Sequence, residues 1–364
     1  MTEPFVINEL EKEACLRLRP LWEEVFYEDS KDFTDYYFQE KAVRNHSFAL
    51  RIEGEDISML YLSPYEMMIK VGDGFQSHTV NYIVGVATRK EYRHRGYMDR
   101  VLKASLRYMY GKRQPFAFLM PANPEIYHPY QFTYIYDRQE VVFRKSFDKG
   151  SVKELANGTD IAELTEYAAS YLGKSCDVFI RRDEEYFRTM IKELKAQNGG
   201  IYLLQEEEAI KGYFLYTEEE GKGEIQEAVV SENIQDCPVL FTGNRIPAIM
   251  ARIVDVQKMF SLLRAETEEI ILTIAVSDPI LTENNGNWKC RISRNEAHIY
   301  EGGSREGSEC RIAIERLTSW IFGYEEAKDC FVFPNGYEGW EKEKVLYKLN
   351  KIKILKNVFI NEIV

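Results

Sequence analysis

The sequence predicts a mixed α/β and α+β chain built of three units, at residues 1–147, 148–245 and 246–364. Three observations lead there. Between Leu10 and Met120 a helical start is followed by a hairpin, a strand, a glycine turn, an amphipathic helix and a short apolar strand, the order of an α/β unit. From Ala162 to Val230 helices again precede a hairpin. From Ile246 onward apolar strands, an alternating segment and a late helix read as an α+β unit. A chain of 364 residues is too long for one small core and suits two or three domains.

In the first unit, Leu16, Leu21, Trp22, Val25 and Phe26 recur at helical spacing within Leu10 to Phe38, and Pro20 divides that stretch in two. Ser47 to Ile52 and Ile57 to Ser63 read as strands around Glu53-Gly54-Glu55, and Thr79 to Ala87 as a further strand. Met98, Val101, Leu102, Leu106 and Met109 form one stripe of a helix from Met98 to Tyr110, which Gly111 ends. Phe116 to Met120 is a short buried strand. In the second unit, Ala162 to Tyr171 and Asp183 to Leu194 are helical, followed by strands at Ile201 to Gln205, Ala209 to Tyr216 and Glu224 to Val230. No basic glycine turn appears there, so a duplicate of the first unit would have lost it. In the third unit, Ala248 to Val254 and Ile270 to Val276 read as strands, and Val256 to Leu263 and Ile312 to Ile321 as helices. Asn284-Asn285-Gly286-Asn287 reads as a hairpin turn before the alternating Trp288, Cys290 and Ile292.

Composition excludes several classes. Hydrophobic residues make up 45% and charged residues 29%, an ordinary globular balance. No apolar run approaches the roughly 18 residues that a membrane span needs. The first twenty residues lack a basic segment followed by an apolar one, so a cytoplasmic location is expected. The six cysteines are scattered, without a CxxC pair or a histidine cluster, so no metal site is expected and the thiols read as small packing residues. A net charge of −12 argues against nucleic acid as a partner and suits a cationic one.

The informative stretch runs from Gly85 through Arg93-His94-Arg95-Gly96-Tyr97-Met98 into the amphipathic helix. A glycine turn at a helix start offers unpaired N–H groups and the positive end of the helix dipole, the geometry of a phosphate site. Arg93 and Arg95 would add charge-assisted contacts, and Gly96 would allow close backbone approach. A basic surface turn before an ordinary helix carries the same residues, so the residues alone leave both readings open.

The pattern resembles motif A of the GNAT acetyltransferases, where a strand, an Arg-x-x-Gly-x-Gly/Ala turn and a helix hold the pyrophosphate of acetyl-CoA. Arg93-His94-Arg95-Gly96 matches it, with Met98 in place of the second small residue. The resemblance implies pantetheine contacts from the backbone of Val86 and Thr88, and pyrophosphate-facing positions at Arg95, Tyr97 and Met98. Acetyl transfer needs a neutral amine, although a lysine-type amine has a pKa of about 10.4, and a proton for the departing thiolate.

Leu119 to Phe132 follows the strand after the cofactor helix and contains Tyr127, His128 and Tyr130. Tyr130 and Phe132 read as aromatic packing. The spacing around Ile126-Tyr127 is similar to the catalytic loop of the Eis-type (enhanced intracellular survival) acetyltransferases, whose tyrosine is the general acid. Those enzymes join an active GNAT domain, a degenerate second GNAT-like domain and a sterol-carrier-protein-like domain. Val276-Ser-Asp-Pro-Ile-Leu-Thr-Glu-Asn-Asn-Gly-Asn-Trp288 resembles the Asp-Pro…Asn-x-Gly-x-Trp signature of that last domain. The resemblance thus implies two tandem GNAT-like domains, the second degenerate, and a sterol-carrier-protein-like third.

It also implies a general base at the C-terminal α-carboxylate, here that of Val364, and a homo-oligomer, with a hexamer as the family form. Asn357 to Val364 is apolar enough to be buried, as an ordinary terminal strand would be. Pro121, Asn123 and Pro124 depart from the family loop. Phe26 and Glu28 fall where the family places aromatic and acidic pocket residues, and Glu362 neighbours the terminus. The expected activity is transfer of acetyl from acetyl-CoA to a primary amine of an aminoglycoside, a polyamine or a lysine side chain. The alternative is a lipid- or protein-binding module that uses the third domain, with the GNAT fold as a scaffold.

Overall fold

The first strand lies where a helix is expected. β1 (Val6–Glu11) includes Leu10, a 3-10 turn follows at Lys12–Leu18, and only then come α1 (Arg19–Val25) and α2 (Lys31–Tyr36). Pro20 thus falls at the junction of the 3-10 helix and α1, where it was expected to part the helical stretch. It occupies the first turn of α1, where its missing N–H is not needed. A second break comes after Val25, and Ser30 starts the chain again by accepting a 3.1 Å hydrogen bond from the Phe33 N–H. The computed structural model describes residues 4–144, 152–155, 159–207, 209–219, 221–231, 234, 237–302 and 307–362.

β2 (His46–Ile52), β3 (Glu55–Val71) and β4 (Gly74–Thr88) form a long antiparallel meander. α3 (Tyr97–Gly111) buries Val101, Leu102, Leu106 and Met109, the expected stripe, with Met98 half-buried at its end. β5 (Phe116–Leu119) and β6 (Thr133–Phe143) follow. β6 is absent from the sequence expectations because Asp137, Arg138, Gln139 and Glu140 hide its alternation. Then come β7 (Lys153–Glu154), α4 (Thr159–Ser175), β8 (Val178–Ile180), α5 (Glu184–Ala196), β9 (Gly200–Glu206), β10 (Ala209–Glu219) and β11 (Lys222–Val230).

β12 (Val239–Ile253) begins before the expected 245/246 boundary and pairs with both β5 and β6, so that boundary falls inside a strand of the first sheet. The remaining elements are α6 (Val256–Ser261), β13 (Arg264–Ala265), β14 (Ile270–Ser277), β15 (Gly286–Ile292), β16 (Ala297–Gly302), β17 (Cys310–Ala313), α7 (Ile314–Ile321), α8 (Ala327–Cys330), α9 (Gly339–Asn350), β18 (Ile352–Lys353) and β19 (Val358–Phe359). Ile312 and Ala313 belong to β17, so the last-unit helix starts at Ile314.

The main sheet runs β1-β2-β3-β4-β5-β12-β6, with β8 added on β3 and β19 on β8. Smaller sheets run β11-β10-β9-β7 and β16-β15-β14-β17. Asn284 and Asn285 are not the tip of a two-residue hairpin. They close an eight-residue connection, 278–285, that wraps a buried hub. There the Asn284 amide donates to Asp278 (2.9 Å) and to the Val254 carbonyl (2.9 Å), and the Trp288 indole donates to the Asn284 carbonyl (3.0 Å). Fully buried Arg252 ion-pairs with Asp278, so the signature residues satisfy one another's polar groups inside the core. All six cysteines are free thiols, and all but Cys237 are buried. No helix among the described residues is long and apolar enough to cross a membrane.

Candidate active site

Gly85 takes φ 61 at an irregularity where the β3–β4 register shifts between Met59 and Tyr61. A Cβ there would lie 2.3 Å from the Trp22 ring, so the bulge accepts no larger residue. On its other edge β4 meets β5 at a single parallel register pair, Tyr82↔Phe118, while Phe116 to Leu119 pair with β12 on the far side. Beyond that pair, β4 continues to Thr88 with no registered partner on this edge. The backbone groups along Ile83 to Thr88 that point away from β3, the Thr88 carbonyl excepted, are therefore available to an extended ligand chain.

That open edge leads into the basic turn. Gly96 is the N-cap of α3 in the left-handed region (φ 78), and no side chain caps the helix start. Space is open on the face where a Cβ would stand. A 15-residue helix thus presents uncapped N–H groups and its positive dipole end to solvent. Arg93 donates from Nε to the Thr88 carbonyl (3.1 Å), and the Arg95 guanidinium lies 5.3 Å from the centre of the Tyr92 ring. Both arginines are exposed, and neither ion-pairs with a carboxylate among the described residues.

The other expected cofactor residues divide by role. Thr88 shares a 2.8 Å hydroxyl contact with Ser58, Val86 is half-buried, and Tyr97 and Met98 turn into the core so that only their backbone faces the turn. The fit of an anion here therefore rests on backbone N–H groups, Arg93 and Arg95.

Tyr127 stands in the 3-10 turns after β5, 9% exposed, with its ring edge-on to Phe132 at 6.1 Å. Burial pushes its hydroxyl up to about 12. On the strand that leads into this loop, Phe118 stacks against the Tyr82 ring at 5.0 Å. Burial raises the Tyr82 hydroxyl first, followed by Glu362; Lys41 and a hydrogen bond from the Met120 backbone oppose this, and Tyr127 adds to it. The Tyr82 hydroxyl also donates to the Glu362 carbonyl (3.4 Å). β5, which leads into the Tyr127 loop, and the C-terminal segment therefore meet at one tyrosine. Val364 itself lies outside the described residues.

Glu362 is buried in an ionic cluster drawn from distant segments. It accepts from Tyr65 (2.9 Å), Tyr186 (2.9 Å) and Arg182 (3.2 Å), and Arg182 also pairs with Glu227 (2.8 Å). Lys41 contacts Tyr65 (3.3 Å) and pairs with Glu193 (2.8 Å). The cluster holds three carboxylates, Glu193, Glu227 and Glu362, against two cations, Lys41 and Arg182. Burial raises the carboxyl groups of Glu227 and Glu362 above the ordinary value, against the pull of Arg182.

Phe26 lies 4.8 Å from Trp22, beside the Gly85 bulge, and is half-buried. Glu28 is exposed on the α1–α2 connection, whereas its neighbour Asp29 is half-buried and accepts from the Trp22 indole (2.8 Å). Sequence reasoning missed Tyr82, Tyr65, Arg182 and Tyr186, which carry no local motif. It also missed Arg252, whose guanidinium donates to the Tyr130 carbonyl (2.8 Å) and so ties the Tyr127 loop to Asp278. A lone arginine in the apolar run Ala248 to Val254 was the available signal.

The chain carries an acetyltransferase (GNAT) domain followed by a sterol carrier protein domain. Residues 7–135 match the acetyltransferase (GNAT) domain family and residues 256–330 the sterol carrier protein domain family. Over its length the chain has the architecture of three similar solved structures. A conserved protein from Enterococcus faecalis V583, described as a probable N-acyltransferase, superposes with a TM-score of 0.77 at 14% identity, covering 99% of this chain and 100% of that one. A GCN5-related N-acetyltransferase from Anabaena variabilis gives 0.75 at 15% identity with the same coverage. Eis1 from Mycobacterium abscessus gives 0.67 at 13% identity, again covering 99% and 100%. No curated protein sequence matches the chain. The chain is thus an acetyltransferase, and GNAT domains use acetyl-CoA as acyl donor.

Proposed function

We propose that this enzyme transfers acetyl from acetyl-CoA to the primary amine of a cationic small molecule or peptide by direct attack within a ternary complex. Acetyl-CoA supplies the thioester. The turn at Arg93, Arg95 and Gly96 holds its pyrophosphate, and the free backbone edge from Ile83 to Thr88 holds the pantetheine arm. The amine nitrogen forms the new bond to the acetyl carbon as the C–S bond breaks. Tyr127 gives its hydroxyl proton to the departing sulfur, and the α-carboxylate of Val364 takes the proton from the amine.

The observation that carries this reading is the Tyr82 hydroxyl, on a ring stacked on Phe118 of the strand that leads into the Tyr127 loop, which donates to the Glu362 carbonyl (3.4 Å). That carbonyl lies two residues before the proposed base. Phe26 and Glu28 form the amine-facing pair in this proposal, and a carboxylate beside aromatic walls suits a cation, whereas Glu362, expected there from the sequence, is buried and engaged by Arg182, Tyr65 and Tyr186.

Tyr127→Phe tests the acid. Turnover falls about 10²–10⁴-fold while acetyl-CoA affinity, read by calorimetry, is unchanged. Equal loss of both would assign Tyr127 to packing instead. Because burial holds this hydroxyl at about 12, the wild-type rate shows no alkaline decline from Tyr127 until the pH approaches that value. A panel of aminoglycosides, polyamines and lysine peptides, read by mass spectrometry, identifies the acceptor.

A further inference from the structure

At the opposite end of α3 from the cofactor turn lies a cleft of about 930 Å³, which no step of the proposed acetyl transfer uses. It is walled by β2 to β4, by the C-terminal end of α3 and by α6 of the third unit. The 15 residues of α3, at 1.5 Å each, put about 22 Å between it and Arg93–Gly96.

Its charge opposes that of the chain. The sequence has 59 acidic and 47 basic residues, yet Lys12, Arg44, Lys112, Arg113 and Lys258 line this cleft against Glu11 as its only carboxylate. Arg44 pairs with Glu185 (2.8 Å) and Arg113 with Asp255 (2.8 Å), and Glu11 faces His46 (3.2 Å). No carboxylate among the described residues lies within ion-pair distance of Lys12, Lys112 or Lys258.

The rest of the lining is built for a polar ligand. Buried Asn81 donates to Gln114 (3.1 Å), Thr79 and Ser261 add hydroxyls, and His46 stacks on Tyr108 at 4.1 Å to give a flat wall. Burial lowers the His78 pKa first, and Lys258 adds to this against the opposing Glu66. Three ammonium groups from three separate elements repel one another unless an anion comes between them. The volume suits a metabolite, and lysines act as point charges that accept phosphoryl oxygens without demanding a planar partner.

We propose that this cleft binds a multiply charged phosphorylated small molecule, clamping the first unit against α6. The test is titration calorimetry on the full chain with inorganic pyrophosphate, and with citrate as a carboxylate anion of comparable charge, at constant ionic strength. Arg95→Ala weakens the cofactor turn as a competing site, and Lys112→Ser with Lys258→Ser removes two of the three unpaired cations. Pyrophosphate binding that persists in Arg95→Ala and weakens at least about tenfold in the double variant is the expected result. No binding to the wild-type chain, or binding lost only in Arg95→Ala, overturns the proposal. Citrate binding as tight as pyrophosphate overturns the phosphoryl assignment. The double variant should melt no lower than the wild-type chain without ligand, and if it fails to fold, Lys112→Ser alone carries the same comparison.

Discussion

The cofactor turn and the Glu362 cluster are both charged, and physically they are opposites. Arg93, Arg95 and Gly96 lie within four residues, exposed, with their charges free. Their meaning is local: a helix start, a left-handed glycine and two adjacent cations. Lys41, Tyr65, Arg182, Glu227 and Glu362 span more than 300 residues, the last three fully buried and the first two half-buried. None of them has a meaning until the fold brings the others to it. The contrast shows two uses of charge in one molecule: a surface left unsatisfied for a ligand, and a buried set satisfied internally to hold a chain segment in place.

The largest expected effect breaks the link between the two regions. Extending the chain past Val364 with a short tag should abolish turnover while acetyl-CoA binding and the melting transition stay as they were. Glu362→Gln in the same background tests whether that side chain rescues any activity. Full turnover in the tagged enzyme would move the base to water or to an internal carboxylate.

Next is Arg182→Met, which leaves Glu227 and Glu362 buried without their shared cation. Removing one member of a buried ionic set costs about 3–5 kcal/mol, seen as a lowered denaturation midpoint. Both carboxyl groups are raised on folding, so the folded chain binds more protons than the unfolded one above the ordinary glutamate value of about 4.3. Stability therefore falls as pH rises through that window, and Arg182→Met should carry the fall to higher pH. A variant with unchanged stability at neutral pH would show that the cluster does not hold the C-terminal segment.

The smallest effect sharpens the other side of the comparison. Arg95→Ala should weaken acetyl-CoA binding by about 1–3 kcal/mol, because one charge-assisted phosphate contact is lost, with little change in stability since Arg95 is exposed. Unchanged affinity by calorimetry would remove Arg95 from the cofactor site.

What the sequence alone determined was whatever is written in consecutive residues. The α3 stripe from Val101 to Met109, the glycine turn at Gly96 and the alternation of Trp288, Cys290 and Ile292 are set by periodicity and by backbone conformation. The tertiary structure decided the rest. The partner of β5 is β12, more than 100 residues later, and β6 is a strand because β12 completes its ladder despite four consecutive polar residues. β1 takes Leu10 and Glu11 out of the stretch that the spacing read as helical. The meeting of Tyr82, Phe118 and Glu362 needs the C-terminal segment to lie against β4 and β5. Short-range sterics and hydrophobic spacing act within one turn of chain and can be read from the sequence. The pairing of buried charges depends on which distant segments close around them, and only the folded chain settles that.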